Sequence, residues 1–412
     1  MLTKIIPRQC VVLPDKSSKL FIKYLLKNEP RDVDKVSKFE KEFAKYVGVR
    51  YAIATSSARV GLYLILNALG IGIADEVILS SYNSVIVPNI LLILGIKPVF
   101  VDVDPQTHTM NPKLIEPKIT ERTRAVIVTH TEGQPCDMYP ILKIAKKYGL
   151  KIIEDCAHAF GAEYKNKKVG SFGNAAIFSF GIGKHINTLG GGMLVTSDEK
   201  LAQIIRTQID TFDNPSKTKL LKKNVLTNIV SFLTRPLIFG LFVYPLTVFA
   251  NAFGKDIITS LFEERKIVTE IPKWHLTKYS NFQAIIGLKQ LKSLEKNIER
   301  RVKNANLFDK YLSKKIKRQR KIPKTKSAYL NYSIQVKDRK KIIRELLIHG
   351  IDTQPTWMES CSSRTIFKSM ADCPVSDVLE KSILYLPIYE ALDGARILYI
   401  ANTLNKLLVE NA

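Results

Sequence analysis

The chain has few cysteines, and they are poorly arranged for a structural role. Five occur in 412 residues, and no two of them form a CxxC pair: Cys10, Cys136, Cys156, Cys361 and Cys373. An odd number of scattered cysteines argues against a disulfide framework and against a zinc site. The first eight residues also lack the apolar core of a signal peptide. We therefore expect a reducing, cytoplasmic environment and no metal.

Acidic residues are also scarce. The chain contains 63 Lys and Arg against 38 Asp and Glu, which gives a formal net charge of +25. Such an excess fits a nucleic acid, an anionic membrane surface or a nucleotide diphosphate as partner, and it also fits a solvated basic face. Two basic clusters, at 314–321 and 337–341, have no aromatic-interleaved motif or zinc finger beside them. We therefore predict no nucleic-acid partner, and the other interpretations stay open.

Strand and helix patterns alternate through the first half of the chain. Apolar residues make up 46% of the sequence, enough for a sizeable core, and the length suggests two or three domains. Helical patterns cover 34–46, 60–69, 85–94 and 141–148, and strand patterns cover 51–55, 76–79, 98–103, 125–129 and the residues that end at Asp155. This alternation predicts an α/β fold with a mainly parallel sheet covered on both faces.

Two of these strands deliver residues with useful chemistry. One short apolar strand ends at Asp155, and the run 175–180 leads to Lys184 on a glycine-flanked loop. Ligands of open α/β sheets bind outside the carboxyl ends of the strands. A lysine there can form a Schiff base with pyridoxal phosphate, and a carboxylate can keep the pyridine nitrogen protonated. On residue types alone, a strand-end cap and a surface lysine are the simpler explanation of the pair, so the flanking residues decide.

A second candidate lies where the strand 51–55 leads into an apolar helix. Ser57 is a good N-cap, and the free N–H groups of a helix start favour a phosphate. Ala58 follows it, and Arg59 could add positive charge. An ordinary capped helix would show the same residues.

Four ordered motifs around Asp155 and Lys184 agree with one family in sequence and spacing. They are IEDCAHAFGA at 153–162, VGSFG at 169–173, FSFGIGK at 178–184 and GGMLVT at 191–196. This part of the chain resembles the DegT/DnrJ/EryC1/StrS sugar aminotransferases, which are pyridoxal phosphate enzymes of fold type I. The likeness extends from about Phe39 to about Thr211 and resumes near Trp274. The resemblance implies an aminotransferase that moves an amino group from glutamate to a nucleotide-linked keto sugar in amino-sugar and polysaccharide biosynthesis.

The same resemblance assigns roles to residues. Lys184 would form the Schiff base with the cofactor and shuttle the proton, Asp155 would face the ring nitrogen, and Ser179 would bind the phosphate. The turn at Ser57 would hold the phosphate too, although Ala58 and Arg59 replace the more usual Gly-Thr pair. Backbone N–H groups could still bind a phosphate there.

Two further positions depart from the family. Ser84 stands where an aromatic residue usually stacks on the pyridine ring of the cofactor. Tyr82 or His130 could lie against that ring instead. His130 could equally be a strand-end histidine whose hydrogen bonds are satisfied in the core. His158 replaces a glutamine that hydrogen-bonds the cofactor's phenolic oxygen, and an imidazole can donate the same bond.

The presence of Lys184 distinguishes between related activities. A dehydratase branch of the family has histidine in its place, whereas this chain has Lys184 followed by His185. Transamination is therefore favoured. The alternatives are a sugar dehydratase, an aminotransferase for a non-sugar ketone, and a cofactor-binding protein whose activity has been eroded.

The segment 214–266 does not follow the family pattern. It starts with several lysines, and 229–253 is almost entirely apolar, with Arg235 as its one charged residue. Its length would allow a membrane span of roughly 20 residues. However, Pro236 and Pro245 interrupt it, which suits a broken hairpin that lies on a membrane surface through 225–255. A contact with a partner subunit is the alternative, and a true span is the least expected.

The C-terminal part predicts a smaller α+β domain. We place a large cofactor-binding domain at 1–272, including the insertion 214–266, and a small domain at 273–412. A helix from about Lys278 continues as an amphipathic helix to about Tyr311, and strand and helix patterns follow at 329–336, 342–349 and 401–408. The resemblance implies a homodimer whose active sites combine both subunits, with Lys278 or Asn281 contributed in trans.

Overall fold

The structure is a computed structural model that describes residues 5–14, 21, 24, 34–254, 256, 267–367 and 371–410. Residues 255 and 257–266 of the predicted insertion lie outside this description. The α-helices are α1 Lys35–Val47, α2 Ala58–Ala68, α3 Ile86–Ile93, α4 Met138–Tyr148, α5 Glu199–Asp210, α6 Lys217–Leu233, α7 Tyr244–Ala252, α8 Asn281–Leu291, α9 Leu294–Tyr311, α10 Arg339–Ile348, α11 Pro374–Ser382 and α12 Gly394–Asn405. The strands are β1 Tyr51–Thr55, β2 Glu76–Ser80, β3 Tyr82–Asn83, β4 Lys97–Val101, β5 Thr123–Thr129, β6 Lys151–Asp155, β7 Glu163–Tyr164, β8 Lys167–Lys168, β9 Ala175–Ser179, β10 Gly192–Thr196, β11 Thr325–Lys326, β12 Tyr332–Gln335, β13 Gln354–Pro355, β14 Glu359–Ser360 and β15 Ile383–Leu386.

A seven-stranded sheet forms the centre of the molecule. Its strand order is β1-β10-β9-β6-β5-β2-β4. The five strands from β9 to β4 pair in parallel, whereas β10 is antiparallel to both of its neighbours. The predicted α/β fold with a mainly parallel sheet is therefore confirmed. The carboxyl ends of β6 and β9 are adjacent in this sheet, which is where Asp155 and the approach to Lys184 lie.

Both faces of the sheet are buried by helices. In β9, Ala175 and Ile177 pack into a core with α2 and α5, while Ala176 and Phe178 pack into a second core that includes α1. Successive side chains of a strand point to opposite faces, so this alternation places one core on each face. The arrangement explains why the strands read as continuous apolar runs.

Helix α1 shows how local sequence signals set an element's limits. The side chain of Asp34 accepts a hydrogen bond from Ser37 N at 2.9 Å, and Gly48 ends the helix with φ of +85°. Phe39 and Phe43 are fully buried on its inner face, and each contributes about 1.5–3 kcal/mol by leaving water. The helix predicted at 34–46 is thus confirmed.

The C-terminal part builds a second, smaller core. Strands β12, β15 and β13 form an antiparallel sheet, which packs with α9 and α12 around Phe308 and Ile334. The long helix predicted to run to Tyr311 is in fact two helices, because α8 ends at Leu291 and α9 starts at Leu294. Helix α8 packs on the large part of the molecule, with Ala284 in the same core as Phe39. The domain boundary at 272 stays a prediction.

The insertion folds as two helical arms, Lys217–Leu233 and Pro236–Asn251. Helix α6 is followed by a helical turn Pro236–Ile238, a π-helical turn Phe239–Val243 and α7. Within the described part of the chain, no single helix is long and apolar enough to cross a membrane. The two arms taken together are long and apolar enough, but they are bent by 74° relative to each other.

Candidate active site

A cavity of about 280 Å³ opens at the carboxyl ends of the sheet strands. It is lined by most of the residues that the sequence predicted for a cofactor site: Ser57, Ala58, Arg59, Ser84, Asp155, His158, Ser179 and Lys184. These residues come from four separate segments of the chain, 57–59, 84, 155–158 and 179–184. Their convergence makes this cavity the candidate active site.

Asp155 provides a buried carboxylate at the end of β6. Its side chain is 5% exposed, and its Oδ1 accepts a hydrogen bond from Ala157 N at 3.0 Å. Burial raises the pKa of Asp155, and the Ala157 N–H together with the charge of Lys184 offsets part of that rise. A buried carboxylate is stabilised when a cation faces it. A protonated ring nitrogen would supply that cation.

Lys184 lies on the loop after β9, which turns at Gly183 with φ of +82°. Its Nζ lies 5.7 Å from the centre of the Trp357 ring. The ring of His158 lies against the same tryptophan, with 6.3 Å between ring centres. The lysine is only half-buried, so its amine can meet a ligand that enters the cavity.

The start of α2 forms another wall of the cavity. The hydroxyl of Ser57 accepts a hydrogen bond from Val60 N at 3.2 Å and caps the helix. Gly192 lets the sheet approach this turn, because a Cβ at that position would lie 2.5 Å from Ala58 N. In the strand order, β1 and β6 are three positions apart, so the helix start and Asp155 approach the cavity from strands whose axes are roughly 14 Å apart.

Positive charge is concentrated beside this helix start. Arg59 and Lys223 line the cavity there, and so does the neutral ring of His275. Arg59 Nη1 lies 3.4 Å from His275 Nε2, and the Ser56 hydroxyl donates to the carbonyl of His275. Helix N-termini already favour anions through their free N–H groups. This end of the cavity is therefore suited to a phosphate.

Tyr82 does not line the cavity. It is fully buried, and its hydroxyl bonds to Glu132 Oε1 at 3.1 Å and Thr356 Oγ1 at 2.7 Å. It lies in the short strand β3, whose neighbouring residue Asn83 lines the cavity instead. Side-chain alternation along the strand accounts for the difference. The prediction that Tyr82 could lie against the ring is wrong.

His130 is also outside the cavity lining. Its Nδ1 accepts a hydrogen bond from Cys136 N at 3.0 Å, so its Nε2 carries the hydrogen that bonds Glu154 Oε2, also at 3.0 Å. Glu154 precedes Asp155 in β6 and points to the opposite face of the sheet. His130 is therefore a satisfied core histidine, and its alternative role at the ring is wrong.

Lys278 and Asn281 lie outside both cavities described for this subunit. The backbone N of Lys278 bonds to Asp213 O at 2.8 Å. The side chain of Asn281 accepts hydrogen bonds from the backbone N–H groups of Lys35 and Val36, which ties α8 to α1. A contribution to a partner's site stays a prediction.

Several lining residues were not predicted from the sequence. Trp357 and Met358 reach the cavity because β14 pairs with β3. His275, Lys223 and Gln354 also come from segments far from the family motifs. Their only signal in the sequence was residue type, because no local pattern reveals the contacts that place them.

A second cavity of about 380 Å³ meets the first at Lys184. The two share Gln9, Gln354 and Trp357 as well. Its other walls include Arg301, which pairs with Glu390 at 2.9 Å, and the exposed cations Lys289 and Arg300. It offers space for a substrate beside the lysine.

The donor set of the first cavity fits pyridoxal phosphate. A buried carboxylate faces one end, a capped helix start with several cations faces another, and a lysine amine lies on the same cavity. These are the groups that a pyridinium, a phosphate and an aldehyde require, respectively.

Comparisons with known proteins identify the family. The family model of the DegT/DnrJ/EryC1/StrS aminotransferases matches residues 18–233 and 265–405. The uncharacterised protein MJ1066 of Methanocaldococcus jannaschii is 32% identical over 92% of this chain and 91% of its own length. GDP-perosamine synthase of Escherichia coli O157:H7 is 29% identical over 90% of this chain and 89% of its own length.

A solved structure adds a comparison of the fold. The PLP form of Spr1654 from Streptococcus pneumoniae has a TM-score of 0.76 and 20% identity, covering 98% of this chain and all (100%) of its own. The predicted family, fold class, enzyme class and cofactor are confirmed. The chain belongs to the DegT/DnrJ/EryC1/StrS aminotransferase family, whose members use pyridoxal phosphate.

Proposed function

We propose that this aminotransferase takes its amino group from glutamate and transfers it to a nucleotide-linked keto sugar. The observation that carries the proposal is the single cavity in which Lys184, Asp155 and a cation-rich helix start converge. The similarity to a protein named GDP-perosamine synthase supports a nucleotide-linked sugar as acceptor. The exposed Lys289 and Arg300 of the adjoining cavity suit a diphosphate.

When bound, pyridoxal phosphate supplies the electron sink and carries the amino group between the two substrates. Lys184 would hold the cofactor through its Nζ; once freed by the incoming amine, the same group would accept the proton that leaves the donor's Cα as general base and pass it on as general acid. Asp155 would keep the ring nitrogen protonated by its negative charge. The Ser57 turn, Ser179 and Arg59 would bind the phosphate.

The proposal predicts two separable half-reactions. Protein loaded with the cofactor and mixed with glutamate alone should release 2-oxoglutarate in an amount equal to the active sites. A series of nucleotide-linked 3-keto and 4-keto sugars should then each be tested for amino-sugar formation by mass spectrometry. If glutamate releases no 2-oxoglutarate while another amino acid reacts, the donor is wrong; if no keto sugar is aminated while a simple ketone is, the acceptor class is wrong.

We also propose a homodimer in which Lys278 or Asn281 acts on the partner's site. Neither residue reaches the cavities of its own subunit, which supports a role in trans. Mixing inactive Lys184→Ala and Lys278→Ala proteins, after subunit exchange, should restore about a quarter of the sites, because half the dimers are mixed and each has one intact site. No recovery, from a mixture shown to contain mixed dimers, would mean that Lys278 acts in cis, and a Lys278→Ala protein that is active by itself would mean that Lys278 has no role in the site.

Finally, we propose that the insertion rests on an anionic membrane surface. Helix α6 and the arm that follows it expose large apolar side chains, here called the apolar face: Val225, Leu226, Ile229, Phe232, Leu237, Leu241, Phe242, Leu246, Phe249 and Phe253. An exposed apolar patch of this size marks an interaction site. The segment 214–255 also contains six Lys and Arg and no Asp or Glu.

That charge selects between a lipid surface and a second copy of the chain. Two copies would bring 12 positive charges together without a carboxylate from these segments, and like charges repel. An anionic bilayer complements them. The bend of 74° between the two arms suits helices that lie in the interface rather than cross it. Binding to phosphatidylglycerol vesicles, weaker for phosphatidylcholine and at high salt, is the expected result.

A further inference from the structure

Lys223 is the one residue of α6 found in the lining of the first cavity among the described residues. We propose that Lys223 binds the phosphate of the cofactor and so makes the insertion part of the cofactor site. The inference rests on the proposed function only in requiring pyridoxal phosphate in this cavity. It requires neither a particular amino donor nor a particular acceptor.

The position of the ammonium group is defined by its neighbours. A Cβ built on Gly190 would lie 3.2 Å from Lys223 Nζ, so the ammonium rests against the backbone there. The next residue, Gly191, forms a bridge with Ser57 at the start of α2. Lys223 therefore reaches the strand end next to the turn that presents its N–H groups to the cavity.

The backbone of α6 is fixed where Lys223 leaves it. Leu220 is buried in a cluster with Phe282 and Ile286 of α8, and Asn224 is buried as well. The hydroxyl of Thr227 donates to the carbonyl of Lys223 at 2.7 Å. Anchors on both sides limit the region that the flexible lysine side chain can sample, although the side chain itself is exposed.

The local electrostatics favour an anion. Burial, followed by the charges of Arg59, Lys223 and Lys219 in that order, lowers the pKa of His275 to about 4. The imidazole is thus neutral at pH 7 and adds no charge of its own. A phosphate dianion would relieve the repulsion among these cations, and Lys223 is the one that comes from the insertion.

The test compares a ligand that has the phosphate with one that lacks it. Cofactor-free parent and Lys223→Ala proteins are titrated with pyridoxal phosphate and with pyridoxal, and binding is followed by absorbance and tryptophan fluorescence. Loss of one partly exposed charge partner should weaken pyridoxal phosphate binding roughly fivefold. Pyridoxal binding should not change. Lys222→Ala is the matched control, because Lys222 is an adjacent exposed lysine outside the cavity lining.

The outcomes separate a phosphate contact from a structural role. Equal weakening for both ligands, or unchanged pyridoxal phosphate binding, would overturn the proposal. Lys223→Arg should retain most of the affinity, because it keeps the charge. If the parent binds the cofactor as described but transfers no amino group, the proposed function fails while the assignment of Lys223 stands.

Discussion

Replacing two phenylalanines of the apolar face should release the protein from anionic vesicles. Phe242 and Phe249 are 61% and 67% exposed. A phenylalanine can bury about 150–250 Å², so roughly 100–160 Å² of each side chain remains available for burial. At about 25 cal/mol per Å², full insertion would contribute about 2.5–4 kcal/mol per residue.

Insertion at a membrane surface is shallow, because such helices enter only roughly 5–10 Å. If half of the available area leaves water, each residue contributes about 1.5 kcal/mol and the pair about 3 kcal/mol. A Phe242→Ser, Phe249→Ser protein should therefore partition roughly a hundredfold less onto phosphatidylglycerol vesicles, since about 1.4 kcal/mol equals a factor of ten. Vesicle co-sedimentation over a range of lipid concentrations measures this shift.

Ile73→Ser provides the matched control, because Ile73 is 87% exposed but lies far from the insertion in the sequence. It should bind vesicles as the parent does, and both variants should retain the glutamate half-reaction. Unchanged partitioning of the double variant would refute the membrane role of this face. A double variant that instead changes from dimer to monomer in light scattering would assign the face to a subunit contact.

Three further changes test the site and its supports. Asp155→Asn keeps the shape of the side chain but removes its buried charge, so the glutamate half-reaction should slow by roughly 100-fold or more. The cofactor-free variant should unfold at no lower temperature than the parent. A half-reaction rate near the parent's would contradict the role of Asp155. Gly192→Ala places a Cβ 2.5 Å from Ala58 N, so it should lower the free energy of unfolding by about 1–3 kcal/mol and weaken cofactor binding. Gly72→Ala is the control and should do neither, because a Cβ at Gly72 would meet no described atom within 4 Å. The pKa of His275 falls from 6.5 to about 4 on folding, so the unfolded chain binds the proton more readily and the free energy of unfolding should decrease as pH falls from 6.5 to about 4. In chemical denaturation, His275→Gln should flatten this part of the stability profile. An unchanged slope would contradict the role of His275.

The elements near the site were predictable because their signals are local. Asp34 and Gly48 mark the two ends of α1, and the strand patterns ending at Thr55 and Asp155 correspond to β1 and β6. Strand–helix alternation then indicates a mainly parallel sheet, which brings the carboxyl ends of its strands to one edge. Lys184 and Asp155 could be assigned to one site for this reason.

Other parts of the site depend on contacts that no local pattern reveals. Trp357 enters the cavity through the pairing of β14 with β3, and Lys223 enters it through the packing of α6 on α8. Tyr82 and His130 lie close to the site in sequence, but their side chains point into the core. A shift of one residue along a strand reverses the direction of a side chain, and the sequence alone did not determine which of these neighbours would face the cavity.

The account depends most directly on a covalent bond between the cofactor and Lys184. Protein loaded with pyridoxal phosphate is treated with borohydride, digested and mapped by mass spectrometry, with Lys184→Ala treated in parallel. We predict that the reduced cofactor is attached to Lys184 in the parent and that no corresponding modification occurs in the variant. Attachment at a different lysine, or a Lys184→Ala protein that transfers amino groups as fast as the parent, would contradict the account.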